Sequence, residues 1–150
     1  LSAIANITVF DGAGTPVSHT LTAISVTRKD NSVIAEWREM SATVPAYAQV
    51  RASMKLETLK SGVYKCETRV VVPVMEAVTN QNAAGYTAAP KVAYENTFVT
   101  TAFLHQRSTV TDRRLARQIL VNLLGNISTS VAAATSGPAS ELFDSLVAPT

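Results

Sequence analysis

Cysteine is nearly absent. Cys66 stands alone among 150 residues, which excludes an intrachain disulfide and any thiolate-built metal site. Histidine is almost as scarce: His19 and His105 have no Asp, Glu or Cys beside them at metal-ligand spacing. The pair supports catalysis only if the fold joins unrelated segments. No phosphate-binding glycine loop occurs, because "DGAG" at 11–14 lies between two strand-like runs and reads as turn chemistry. Glu36, Glu39, Glu57, Glu67 and Glu76 show no paired-carboxylate spacing and are read as solvated. No window approaches the roughly 18 apolar residues of a membrane span, and no basic region followed by an apolar run opens the chain as a secretory signal does. These absences predict a non-enzyme with no cofactor, no metal, no membrane association and no small-molecule substrate. Charged residues amount to only 16%, with a net charge of +2, which permits an anionic partner without demanding one.

What the chain does contain is period-two alternation, the mark of strands with two unlike faces. "GVYKCETRVVVPV" (62–74) places Val63, Lys65, Glu67, Arg69 and Val71 on one side and Tyr64, Cys66, Thr68, Val70 and Val72 on the other. "AQVRASMKLETL" (48–59) sets Val50, Ala52, Met54 and Leu56 against Gln49, Arg51, Ser53, Lys55 and Glu57. Lys60, Ser61 and Gly62 turn one run into the other, so the two form a hairpin whose charged faces coincide. Upstream, 7–26 reads as two strands around a turn in which Asp11-Gly12 and Gly14 supply positive φ, and "VIAEWREM" (33–40) alternates again. Pro73 is read as the end of regular pairing. The loop at 76–91 has no periodicity, and one further strand is expected within 92–106.

The period then changes. In "STVTDRRLARQILVNLLG" (108–125), Leu115, Ile119 and Leu123 repeat at four, as do Ala116, Leu120 and Leu124. Thr109 and Asp112 fit a helix-start signal and Gly125 a stop. Arg113, Arg114 and Arg117 fall mainly off the apolar stripe. A second helix is expected in "PASELFDSLV" (138–147), with Leu142, Phe143 and Leu146 inward. Strands followed by helices make a single α+β domain over 1–150.

Two short helices are too little to cover a broad sheet, and the last strand would leave an open edge. A symmetric dimer joined at that edge answers both problems, with Leu115, Ile119, Leu120 and Leu123 buried between chains. Arg51, Lys55, Lys65 and Arg69 meanwhile share one flat face, tempered by Glu57 and Glu67. Such a face suits phosphates; a salt-bridged solvent face is the plainer account of the same pattern.

In order and spacing, "ITVFDGAGTPV", "IAEW", the 50–74 hairpin, "AYENT" (93–97) and "STVTDRRLARQILVNLL" together resemble the coat proteins of the levivirus family of single-stranded RNA bacteriophages. The resemblance implies an N-terminal β-hairpin, a five-stranded antiparallel sheet and two C-terminal helices in an interlocked homodimer. It further implies a T=3 icosahedral capsid assembled in the bacterial host cytoplasm, with the sheet facing the genomic RNA of the virion and binding an operator hairpin. Lys65 and Arg69 fall at basic positions of the family's RNA-binding strand, with Glu67 where a small polar residue is usual. Ser53 and Lys55, beside Arg51, fall on the facing strand. Tyr94 and Asn96 resemble the family's base-stacking tyrosine and the polar residue two positions on; an ungapped count from the helix puts Thr97 and Val99 there instead. A stand-alone dimeric RNA-binding regulator remains the alternative, and an enzyme or carrier using the sheet as a cleft is a third.

Overall fold

The computed structural model describes residues 3–77 and 83–150; part of the 76–91 loop, residues 78–82, lies outside them. Six strands, β1 (Ile7–Phe10), β2 (Ser18–Lys29), β3 (Ser32–Glu39), β4 (Arg51–Thr58), β5 (Val63–Met75) and β6 (Val92–His105), form one antiparallel sheet in chain order. Helices α1 (Val110–Leu124) and α2 (Pro138–Phe143) follow. The expected hairpin and five-stranded sheet therefore share a strand, since β2 pairs with β1 on one side and β3 on the other.

Local chemistry explains the elements, with two corrections. The β1–β2 turn uses no positive-φ glycine at 12 or 14; Asp11 Oδ1 instead accepts from the Ala13 and Val17 amides at 3.2 and 2.9 Å. These bonds hold the Asp11 carboxyl below its ordinary value. Nor does pairing stop at Pro73, which sits opposite Glu95 in a ladder running on to Met75. The β4–β5 ladder reaches only Val71, so beyond it β5 is an edge on one side, where a missing N–H is tolerated. Gly62, at φ 78°, makes the tight β4–β5 turn as the alternation requires. Thr109 and Asp112 form a reciprocal capping box at the start of α1.

One side of the sheet carries the core: Leu21, Ala35, Trp37, Ala52, Met54 and Cys66 pack with Leu142 and Phe143 of α2. Burying each large apolar side chain contributes about 1.5–3 kcal/mol. Trp37 satisfies its indole N–H on the Ala5 carbonyl at 2.8 Å. Cys66 is wholly buried, and burial pushes its thiol up to about 11 against a smaller opposing effect of Arg113, so it is packing material rather than a nucleophile.

Candidate nucleic-acid interface and assembly surfaces

Cross-strand register fixes which side chains share the face opposite the core. Ser53 sits opposite Arg69, Lys55 opposite Glu67 and Glu57 opposite Lys65, while Arg51 and Arg38 pair across β3 and β4. The hairpin's two charged rows thus coincide, as the alternation requires. Continuing into β6, Lys65 faces Phe103, Glu67 faces Thr101, Arg69 faces Val99 and Val71 faces Thr97. Tyr94 and Asn96 lie opposite Val74 and Val72 instead, on the side of Val70 and Cys66. The expectation that Tyr94 and Asn96 share the face of Lys65 and Arg69 is therefore corrected: Thr97 and Val99 lie on that face, opposite Val71 and Arg69. An ion pair supports the same parity: Glu95, between Tyr94 and Asn96, bridges Arg51 at 2.5 Å on the charged face.

Much of the charge on this face is internally compensated. Lys55 bridges Glu57 at 2.7 Å, Lys65 approaches Glu67 at 3.5 Å, and Arg51 holds Glu95. The Lys55 ammonium, by hydrogen bond and charge, holds Glu57 below the usual carboxylate range. Arg69 has no such partner among the described residues. It lines a shallow hollow of about 540 Å³ with Glu36, Arg38, Arg51, Ser53 and Glu95. Arg38 Nε, buried there, has no hydrogen-bond partner. Alternation places neither Arg38 nor Glu95 in this hollow, and it reads Glu36 only as solvated, because a strand's own pattern does not reveal which strands it neighbours.

On the other side, α1 presents an apolar stripe that its own chain leaves uncovered: Leu115, Ile119, Leu123 and Leu124 are all exposed, Leu123 by 74%, and Leu120 by 38%. Tyr94 and Phe98, on the same side of β6, are exposed as well, and β6 pairs with β5 alone. An apolar groove of about 290 Å³ runs between Thr100, Ala102 and Leu104 of the sheet and Ala116, Leu120 and Val121 of α1.

What ties α1 to the rest is ionic. Asp144, buried, receives Arg117 Nε and Nη2 at 2.9 Å each, Arg114 Nε at 3.0 Å and Ser140 Oγ at 2.8 Å. Arg113 donates to the Asp144 backbone carbonyl at 2.7 Å and to the Ser108 carbonyl. Burial pushes the Asp144 carboxyl up, but hydrogen bonds from Arg117, Ser140 and Arg114 outweigh it and hold the group below its ordinary value. The three arginines thus do not simply face water. The signal was available as three cations within five residues of one helix and an aspartate amid the apolar positions of the next.

A second cluster joins distant segments. His19 Nδ1 lies 2.8 Å from Glu39 and Nε2 3.4 Å from Asp11, and these partners, Glu39 first, raise the histidine above its ordinary value. It binds the end of the hairpin to β3. Among the described residues no group of His, Cys, Asp or Glu is arranged to hold a metal ion.

A model of the family described as levivirus coat protein matches residues 2–140. The chain is similar to a solved structure of a virus-like particle of bacteriophage EMS014, with 30% identity, 99% of each chain covered and a TM-score of 0.71. A virus-like particle of bacteriophage ESE058 shares the fold at 24% identity, 98% and 99% coverage and a TM-score of 0.69. The capsid protein of bacteriophage GA shares it at 16% identity, 95% and 94% coverage and a TM-score of 0.59. No curated protein sequence matches. With strand order, terminal helices and a family match over nearly its whole length in agreement, the chain belongs to the levivirus coat protein family and is a structural capsid protein.

Proposed function

We propose that the chain acts as an interlocked homodimer that closes into an icosahedral shell, with the charged sheet face turned inward to single-stranded genomic RNA. The observation that carries the dimer is the uncovered apolar stripe of α1, facing the same side as the exposed Tyr94 and Phe98 of an edge strand. A second copy, related by a two-fold axis, pairs its β6 with this one and lays its Leu115, Ile119, Leu120 and Leu123 over these residues. Both liabilities, the open edge and the bare apolar patch, disappear together.

On the inward face, Arg51, Ser53, Lys55, Lys65 and Arg69 contact RNA, Arg69 most directly because it has no internal ion pair. Glu67, loosely paired with Lys65, lowers the net positive charge of that row, so an operator hairpin is read mainly from the Arg38–Ser53–Arg69 hollow, with Lys65 as a secondary phosphate contact. Assembly takes place in the host cytoplasm, where the RNA is made.

Expression of the chain alone, followed by electron microscopy and nuclease protection, tests this. Closed particles that shield RNA are the expected result. Soluble dimers that bind RNA and never close would make the protein a stand-alone regulator, and particles containing no RNA would remove the inward-face assignment.

A further inference from the structure

Phe103 is 65% exposed and lies on the charged face of the sheet, directly across from Lys65. It is the only Phe, Tyr or Trp that β2 to β6 place on that face, with the imidazole of His105 two positions on; Tyr64, Tyr94, Phe98 and Trp37 all fall on the core side by register. The second copy invoked above covers Tyr94 and Phe98, which share a side with the helices, but not Phe103. Strand pairing at the β6 edge brings neighbours about 4.8 Å to one side, and side chains stand off the sheet, so the outer surface of the ring stays open. An aromatic ring held open amid Lys65, Thr101 and His105 asks for a ligand with a flat apolar face and negative charge beside it.

We propose that Phe103 is a stacking platform for an unpaired base of single-stranded RNA, with the adjoining phosphate on Lys65. This rests on the reading that the charged face meets RNA. Lys65 Nζ stands 3.5 Å from Glu67, a loose pair that leaves its N–H donors available to a phosphate. Thr101, the next residue of β6 on the same face, is small enough for a base to lie over the ring. Stacking of this kind tolerates any base, because every base offers a π-face. Phe103 therefore holds packaged RNA without reading its sequence, and the Arg69 hollow and the Phe103 platform are separate contacts along one strand.

The test measures the affinity of the full-length protein for a 12-nucleotide unstructured oligoadenylate and for an abasic strand of the same length, across a salt series. Phe103→Leu, which keeps an apolar side chain at the edge, should weaken oligoadenylate binding about 5- to 150-fold. Its salt slope should be unchanged, and Phe103→Tyr should restore affinity. Abasic-strand binding should not respond to Phe103→Leu. Equal losses on both strands, or no loss while Arg69→Ala weakens both, would overturn the platform and leave the RNA-facing reading intact. If neither Phe103→Leu nor Arg69→Ala changes any affinity, the RNA-facing reading itself fails. A loss that follows dimer dissociation, with affinity per remaining dimer constant, makes Phe103 an interface residue and overturns the proposal.

Discussion

Replacing Asp144 by Ala should detach α1 from α2, and the cost follows from the surroundings of its carboxylate. The side chain is 1% exposed and accepts two bonds from Arg117, one from Arg114 and one from Ser140. Removing one partner of a buried ion pair costs about 3–5 kcal/mol, because the other charge is left unpaired. Arg117 is the stranded group here, with only 13% of its side chain exposed; Arg114, at 30%, regains water more readily. The lower end of the range applies, about 3 kcal/mol. Against a total of about 5–15 kcal/mol for a domain, that is a large loss. Guanidinium unfolding followed by the fluorescence of buried Trp37, at fixed protein concentration, reads it as a fall in midpoint. Removing the charge from both sides, as Arg117→Met with Asp144→Leu, should recover much of the loss, since the penalty comes from the unpaired cation rather than from the absence of the pair. A loss below about 1 kcal/mol for Asp144→Ala, or a double variant no better than the single one, would refute the argument that this cluster holds α1 in place.

The remaining predictions address pH, assembly, charge and the thiol. Asp144 has a folded-state value below its ordinary 3.8, so its contribution is complete above that value and is lost as pH falls through the lower folded one. Acid unfolding of Asp144→Asn should accordingly show a shallower dependence on pH below 3.8 than the parent. His19 has the opposite sign: its stabilisation is full below 6.5 and fades as pH rises through the raised folded value, which NMR titration of its ring should follow, with Glu39→Gln bringing the midpoint down. Leu123→Asp, at a position its own chain leaves exposed, should yield a folded monomer by sedimentation, whereas an unchanged dimer would place the interface elsewhere. Arg69→Ala should lower the salt slope of RNA binding by about 0.7, and Lys55→Ala by less, since it also frees Glu57. Cys66 should resist thiol reagents until the protein unfolds, with its reactivity rising at the same denaturant concentration as Trp37 exposure.

The difference between the legible and illegible parts of this sequence lies in how many faces of a segment are apolar. In β4 and β5 one face is greasy and the other charged, so alternation alone identifies the hairpin and brings Arg51, Ser53, Lys55, Lys65, Glu67 and Arg69 together. The stripe of α1 is equally legible, because a 3.6-residue period needs no knowledge of what covers it. β6 is not. Tyr94, Phe98, Ala102 and Leu104 make one of its faces apolar, yet Val99 and Phe103 do the same for the other, so no pattern within the strand says which side meets the core. Only the pairing of Arg69 with Val99 and of Val72 with Asn96 decides it, and a one-residue slip exchanges the two sets completely. The Asp144 cluster escapes hydrophobic periodicity for a related reason, although its charges stand in the sequence. Hydrophobic periodicity assigns arginines to water by default, whereas a buried carboxylate thirty residues away in sequence draws Arg114 inward, and Arg113 and Arg117 with it. Sequence pattern therefore locates surfaces well where one kind of residue fills them. It fails where a strand has two apolar faces, or where a single charge reverses the preference of its neighbours. Both failures fall on β6 and α1, the two elements whose apolar side chains remain uncovered within one chain.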